Sequence, residues 1–311
     1  MQHDYNGFPN QKGARLIART FPQSTRVLEH VGRDLLIPVF GTDGAVHLTP
    51  RTDARRVRLP EDSPITHDID KLFDVTRYAT ARTPIELGTV DEATRSAFVH
   101  PFPVWCQHVL DMPIKFPGSD VRLPHDLASL APAVQHIVDI EARVNPRYGD
   151  YYAYLSLHQA DVAVGERMRE NPFHVDGFQG PRWKQKHPAN HSYLLCDTLP
   201  TDFFPIPFPI DHLDLEMDDI YAEFERMVNA AKAKPWNAKD FELLLMDAYC
   251  VHRGGIATHP VFRTWLRISW ETRAFDRIGN THNPLFDYDW EMVARDTSPL
   301  IRPRLDMAVA A

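Results

Sequence analysis

Cysteine is scarce in this sequence. The chain has three cysteines in 311 residues, and Cys106, Cys196 and Cys250 lie far apart without CxxC spacing. An odd number at such distances indicates neither a disulfide framework nor a zinc ribbon. A reducing, cytoplasmic environment is therefore predicted.

Long apolar runs and concentrated positive charge are also missing. No stretch reaches the roughly 18 consecutive apolar residues that cross a membrane, and no basic region with an apolar run opens the chain. The net charge is -8, with lysine and arginine scattered among more numerous acids. Since a nucleic-acid partner requires a concentrated basic face, neither a nucleic acid nor a membrane is expected as a partner. Assembly into a homo-oligomer is compatible with the sequence.

Apolar residues are plentiful by contrast, at 43% of the chain with 11% aromatic, which allows a sizeable core. The 26 prolines are spread throughout, a pattern that breaks long helices and favours short strands joined by ordered loops. We predict one domain over 1–311, with a barrel core at about 151–272. Residues 1–120 are assigned only as supporting elements.

Periodicity gives a coarse fold class. Two helices are predicted, at 126–143, where Pro132 kinks or restarts the helix, and at 214–233. A hairpin is predicted over 36–47. Strands are predicted at 151–162, 192–199, 242–251 and 263–270. These elements favour a mainly β, α+β fold, a barrel or sandwich with helices packed outside.

His174 and Asp176 form the clearest chemical motif. In an extended chain, residues two apart point the same way, so an imidazole and a carboxylate can face one ion. His252, at the end of an apolar run, can supply a third ligand from a distant strand. Two histidines and one carboxylate leave three positions open on an octahedral ion, which suits O2 activation by Fe(II). Gly177 and Gly180 let the backbone bend around a ligand.

A His-x-Asp match alone is weak, since the chain contains 16 histidines. His212 and Asp214 form a second match, but it opens an acidic predicted helix and leaves little room for strands before His252. We interpret it as a helix-start aspartate and a solvated histidine. His187 and His191 are interpreted as loop residues and not as a zinc pair.

Two arginines follow the third candidate ligand. Arg263 and Arg267 lie 11 and 15 residues after His252, and with Trp265 and Ser269 they share one strand face. An arginine buried on such an apolar and aromatic strand requires an anionic partner. A dicarboxylate offers a planar carboxylate that a guanidinium can bind with two hydrogen bonds.

This order of residues resembles the Fe(II)/2-oxoglutarate-dependent oxygenases, and the two arginines look like those of the taurine dioxygenase and phytanoyl-CoA hydroxylase branches. The resemblance covers about residues 151–272. It implies a double-stranded β-helix, a jelly-roll or cupin-like barrel, with Fe(II) on His174, Asp176 and His252 as the catalytic centre. It also implies O2 and 2-oxoglutarate as co-substrates. The implied activity is hydroxylation, or another oxidation, of a small molecule with release of succinate and CO2.

The resemblance also suggests roles for further residues. Arg263 is expected to hold the distal carboxylate of 2-oxoglutarate, with Arg267 as the alternative. Thr201 matches a threonine that contacts the co-substrate in taurine dioxygenase, about 25 residues after the aspartate ligand. Gln159 is a co-substrate candidate because the parity of its strand can turn it into the barrel. A core glutamine with satisfied hydrogen bonds is the alternative.

The substrate is expected to be a small polar metabolite, anionic or zwitterionic. If Arg263 neutralises the charge of the co-substrate, Arg267 stays unpaired unless another anion binds. We therefore expect Arg267 to contact the substrate. A salt bridge is the alternative. Phe178, Gln179 and Trp183, just beyond the metal motif, are candidate substrate contacts, against simple aromatic packing of a loop.

Two other classes of protein share parts of this pattern. One is a barrel metalloenzyme of another class, an isomerase or hydrolase with Zn(II) or Mn(II), which does not need Arg263. The other is a non-catalytic barrel that binds a small ligand. A chain without metal has no reason to keep His174, Asp176 and His252 together, which favours the oxygenase.

Overall fold

The structure of this protein is a computed structural model. It describes residues 45–52, 59–60, 63–168, 173–177, 188–215 and 218–292, without the side chain of Trp105. Some of the predicted features lie outside these residues: the hairpin up to residue 44, Phe178, Gln179, Gly180, Trp183 and His187.

A six-stranded antiparallel sheet dominates the fold. Its strands, in spatial order, are β2 (Ile85–Thr89), β8 (Glu242–Asp247), β6 (His191–Cys196), β10 (Val261–Glu271), β5 (Tyr152–Val162) and β3 (His108–Lys115). Two smaller antiparallel sheets pair β1 (Val46–Leu48) with β4 (Val121–Leu123) and β7 (Asp202–Phe203) with β9 (His252–Arg253). The fold is thus α+β and rich in β structure, as predicted. Since β2 and β3 occupy the two edges, the large sheet reaches beyond the predicted core of 151–272.

Strands β5 and β10 form the longest pairing of the large sheet. Arg267 lies opposite Ser156 and Trp265 lies opposite His158 in this antiparallel register. Residues directly opposite in such a pair project from the same face. Arg263, Trp265 and Arg267 therefore share one face of the sheet with Ser156 and His158, which confirms the predicted arrangement of the arginines.

The other face of this sheet is covered by the helix α3 (Ala131–Val144), and the two together bury the larger hydrophobic core. A 3₁₀ turn at His125–Leu130 precedes α3, and Pro132 lies in its first turn. Proline fits there because the first amides of a helix have no partner within it. The predicted helix at 126–143 is confirmed, with Pro132 close to the point where the helix restarts.

The helix α4 (Ile220–Ala231) is shorter than the predicted helix at 214–233. It begins at Asp219, whose carboxylate accepts hydrogen bonds from the next turn, and not at Asp214. The assignment of Asp214 as the helix start was therefore wrong. Ile220, Phe224 and Val228, spaced by four residues, are buried as predicted.

Two predicted strands are too long. The strand at 242–251 ends at Asp247, whose side chain accepts from the Tyr249 amide at 3.0 Å and turns the chain. This turn lets His252 start the separate strand β9. The strand at 192–199 ends at Cys196.

The shorter helices lie before β3. They are α1 (Pro64–Asp68), α2 (Glu92–Val99) and 3₁₀ turns at Val75–Ala79 and Val104–Cys106, with a further 3₁₀ turn at Tyr148–Asp150. In the described part of the chain, no helix has both the length and the apolar character needed to cross a membrane.

Candidate metal centre

Two backbone segments bring the three predicted ligands together. The amide of His174 donates to the carbonyl of His252 at 2.9 Å, and the amide of His252 donates to the carbonyl of His174 at the same distance. Asp176 follows two residues later, and the possible ligand atoms of the three side chains all lie within 4.8 Å of one another. Among the described residues, this is the one group of His, Cys, Asp and Glu that could hold a metal. His212 and Asp214 are exposed and outside it.

The imidazole of His252 is oriented by its own chain. Its Nδ1 lies 2.8 Å from the carbonyl oxygen of Cys250, and since a carbonyl can only accept, Nδ1 carries the proton. The lone pair of Nε2 therefore faces the Asp176 carboxylate, whose Oδ2 is 3.8 Å away. Metal-binding histidines commonly have such a partner on the ring nitrogen that does not bind the metal.

The buried carboxylate of Asp176 lies against Arg267. The Nη1 of Arg267 donates to Oδ1 of Asp176, and its Nη2 donates to Oδ1 of Asp111 at 2.8 Å. Burial lowers the pKa of the Arg267 guanidinium, but the two carboxylates outweigh burial and raise it above its ordinary value. Arg267 is thus a charged group with two counter-ions of its own. The expectation that Arg267 stays unpaired unless an anionic substrate binds was wrong, because the two aspartates already supply the negative charge; its contact with substrate stays a prediction.

Gly177 shapes the backbone next to Asp176. Its φ of +101° lies in the region that residues with a side chain rarely adopt, and an added Cβ would lie 2.5 Å from Oδ1 of Asn190. Asn190 is buried. Glycine at this position is therefore required both by the backbone turn and by the close approach of the Asn190 amide.

Arg263 is buried, with 4% of its surface exposed, but it has partners of a different kind. Its Nε donates to the carbonyl of Thr198 at 3.2 Å, and its Nη atoms lie 3.2 Å from the sulfur of Met168 and 3.3 Å from that of Cys196. Burial raises the pKa of the Cys196 thiol, so this sulfur is neutral. Within the described residues, no carboxylate lies at ion-pair distance from the Arg263 guanidinium.

One open cavity connects the metal ligands with Arg263. It is open to solvent and not an enclosed chamber. Its lining comprises His158, Met168, His174, Asp176, Leu194, Thr201, His252, Gly254, Arg263, Trp265 and Arg267. The predicted residues Thr201, Arg263 and Arg267 thus lie in one cavity with all three ligand candidates.

Gln159 is not in this cavity. Its amide nitrogen donates to the carbonyl of His100 and the hydroxyl of Thr264, and its amide oxygen accepts from the Phe102 amide at 2.8 Å. Gln159 lies on the opposite face of β5, where its hydrogen bonds are satisfied, and this placement favours the alternative of a core glutamine. Its neighbour His158 faces the cavity instead.

Two residues of the site were missed by sequence reasoning. His158 could have been found, since the predicted strands β5 and β10 place it on the face of the arginines once the register is known. The sequence carries no such signal for Asp111, because an irregularity in β3 turns it toward Arg267.

His191 was predicted in a loop, but it is the first residue of β6. Its side chain is buried against Glu141, with Nε2 2.9 Å from a carboxylate oxygen.

Comparison with known proteins leaves the family open. No family model matches the sequence, and no curated protein matches it. Among solved structures, the chain is similar to AviO1 from Streptomyces viridochromogenes Tue57, with 12% identity and a TM-score of 0.35 over 63% of this chain and 92% of AviO1. It is also similar to EvdMO1, with 14% identity and a TM-score of 0.32 over 64% of this chain and 49% of EvdMO1. Likenesses at this level carry no argument, so the function is argued from the site itself.

Proposed function

We propose that this protein is an enzyme, a non-haem oxygenase that uses Fe(II) and 2-oxoglutarate to oxidise a small molecule. One observation carries the proposal. A group of two histidines and one aspartate, of which Asp176 and His252 are buried, shares a cavity with Arg263, a buried arginine that has no carboxylate at ion-pair distance among the described residues.

The arrangement of the sheets supports the double-stranded β-helix that this class implies. The large sheet presents one face to the cavity, and the short pair β7 and β9 carries His252. The bridge from His174 to His252 adds a further extended segment beside this pair. Two antiparallel layers around a ligand cavity are the expected plan of such a barrel.

The donor set fits Fe(II). His174 and His252 each offer one imidazole nitrogen and Asp176 offers one carboxylate oxygen, the set typical of non-haem Fe(II) oxygenases. Such a set leaves coordination positions for a co-substrate and O2. A structural zinc site, by comparison, is closed by four protein ligands. The fixed tautomer of His252 holds one of these donors ready for the metal.

The buried arginine fits an anionic co-substrate. Arg263 supplies the fork for the distal carboxylate, and Thr201, buried in the same cavity, offers a hydroxyl. Arg267 already has Asp111 and Asp176 as counter-ions, so a substrate beside it need not be an anion. A small molecule as substrate stays part of this proposal.

The chain's own residues bind and orient the reactants. Bound here, Fe(II) and 2-oxoglutarate supply the O2 activation that oxidises a C–H bond, with release of succinate and CO2. Arg263 fixes one end of the co-substrate, and His252 and Asp176 fix the geometry of the metal. Trp265, Leu194 and Met168 line the cavity with apolar surface that limits the access of water.

The test is anaerobic addition of Fe(II) and then 2-oxoglutarate to the purified protein. The visible charge-transfer absorption of the chelate is expected for the wild type and not for Asp176→Ala. Succinate formation in air is then screened with neutral, zwitterionic and anionic small molecules as separate classes.

Two results would contradict the proposal. Tight binding of Zn(II) or Mn(II), with no response to 2-oxoglutarate, would favour an isomerase or hydrolase. A wild-type protein that binds no metal at all would favour a non-catalytic ligand-binding barrel.

A further inference from the structure

Asp111 lies at an irregularity in the edge strand β3. The register between β3 and β5 shifts between Val109 and Met112, and Asp111 has a φ of +45°, in the left-handed region that disfavours residues with a side chain. Ser156 fixes this conformation: its hydroxyl accepts from the Asp111 amide at 3.0 Å and donates to the Asp111 carboxylate at 3.1 Å. Such bulges reorient a side chain relative to the regular strand.

The reoriented carboxylate meets Arg267. Oδ1 of Asp111 accepts from Nη2 of Arg267 at 2.8 Å, and Nη1 of the same guanidinium donates to Oδ1 of Asp176. Arg267 lies on β10, so three separate segments of the chain meet in one row of carboxylate, guanidinium and carboxylate. The side chains of all three residues are largely buried.

Fold stability alone does not account for this row. Burying charged groups costs desolvation energy that their attraction often fails to recover, and the left-handed conformation of Asp111 adds strain. An apolar row of similar volume often stabilises a core equally well, so the position of this row beside the candidate metal ligands is what points to another role.

The geometry of Asp176 supplies that role. Arg267 engages Oδ1, whereas Oδ2 lies 3.8 Å from Nε2 of His252, another candidate ligand atom. Arg267 thus holds one oxygen of the carboxylate, and the other, on the side of His252, is the one that a cation would bind. The charge of Asp111 offsets that of Arg267, which would otherwise repel a cation at the same place.

We propose that Asp111 and Arg267 are positioning residues that hold Asp176 as a one-oxygen metal ligand. This inference rests on the proposed metal site, but it concerns residues that are not themselves ligands. It extends the site across the sheet to the edge strand β3 and gives the strained backbone at Asp111 a function.

The test compares Co(II) binding, followed anaerobically by its visible absorption, in the wild type, Asp111→Ala, Asp111→Asn and Arg267→Lys. Loss of a partner around a metal ligand typically weakens metal binding by about 10–100-fold, and we expect this for Asp111→Ala with an altered Co(II) spectrum. Asp111→Asn keeps the shape but not the charge, so an intermediate loss is expected. In the Arg267→Lys variant the ammonium group cannot replace the guanidinium fork that donates to Asp111 and Asp176 together. The Co(II) spectrum of this variant should therefore also change.

The matched control is Asp68→Asn. Arg82 likewise bridges two carboxylates, 2.6 Å from Asp68 and 3.0 Å from Asp247, but it does not line the cavity. The control should lower the melting temperature without changing Co(II) affinity or spectrum.

Three outcomes would overturn the inference. One is wild-type Co(II) affinity and spectrum in Asp111→Ala. Another is an equal loss of affinity in Asp68→Asn, which would show a general effect of stability. The third is a wild type that binds no Co(II), and only this last result would also remove the metal site itself.

Discussion

Arg263 and Arg267 lie four residues apart on one face of β10, but their partners separate their roles. Arg267 contacts two carboxylates, whereas the guanidinium of Arg263 contacts a carbonyl and two sulfur atoms. Asp197 interacts with Arg263 electrostatically, but none of the groups that hydrogen-bond to Arg263 carries a full negative charge, and a buried cation without such a partner is costly. An incoming carboxylate would relieve this cost. The sequence left the two arginines exchangeable, and their partners favour Arg263 as the anchor of 2-oxoglutarate.

Arg263→Ala should therefore weaken the binding of 2-oxoglutarate and leave metal binding intact. The expected loss is about 2–5 kcal/mol, because a charge-assisted contact in a buried site is removed. The measurement is a calorimetric titration of 2-oxoglutarate into the Co(II)-loaded protein. Arg95→Ala is the control, since the guanidinium of Arg95 likewise donates to a backbone carbonyl, that of Val90, but lies outside the cavity. A larger loss in Arg267→Ala, at unchanged Co(II) affinity, would exchange the two roles.

At the scale of elements, the long strands and the helix α3 could be predicted, because alternating or helical periodicity over ten or more residues reports the buried face. Strands β7 and β9, of two residues each, could not, because such short strands form only through pairing with distant residues. The bulge at Asp111 could not be predicted from the sequence for the same reason, because Ser156, which fixes it, lies on another strand. The pairing of His174 with Asp176 could be predicted from local spacing. Gln159 could not be placed, because parity alone does not say which face of the strand meets the cavity.

The end of β3 carries a buried lysine whose protonation should be visible in stability. Lys115 donates to the carbonyls of Tyr151 and Phe116, and burial lowers the pKa of its ammonium from 10.5 to about 8, although the charge of Glu141 opposes this. Between these two pH values the unfolded chain binds more protons than the folded one, so this group makes stability rise with pH. Burial also raises the pKa of Tyr148 and of Tyr151, so both stay neutral over this range.

Lys115→Met should flatten this rise. The difference in unfolding free energy between the wild type and the variant should change by up to roughly 3 kcal/mol between about pH 8 and pH 10, in favour of the wild type. Urea denaturation at a series of pH values measures it. A difference independent of pH would show that Lys115 keeps its ordinary pKa. Co(II) affinity serves as the control, since Lys115 does not line the cavity.

At the scale of the molecule, the candidate metal centre joins parts of the chain that belong to different cores. The larger core lies between the sheet and α3, and a second, aromatic core includes Phe173 and Val175 on either side of His174. His174 and Asp176 thus come from a segment held by the second core, whereas the strand β10, which carries Arg267, packs against the first through Leu266 and Ile268. A cation bound by His174, Asp176 and His252 would hold these segments together, so metal binding should stabilise the fold.

The melting temperature should accordingly rise when Co(II) or anaerobic Fe(II) is added. A ligand at 100 times its dissociation constant stabilises the folded state by about 2.7 kcal/mol, which corresponds to a shift of a few degrees for a chain of this size. Addition of 2-oxoglutarate should raise it further only when the metal is present, because in the proposed function both the metal and Arg263 would hold the co-substrate. Asp176→Ala should show neither shift, and Arg263→Ala should show the first without the second. A rise of the same size in Asp176→Ala would place the bound metal elsewhere, whereas a response of the wild type to 2-oxoglutarate without metal would separate the anion site from the metal centre.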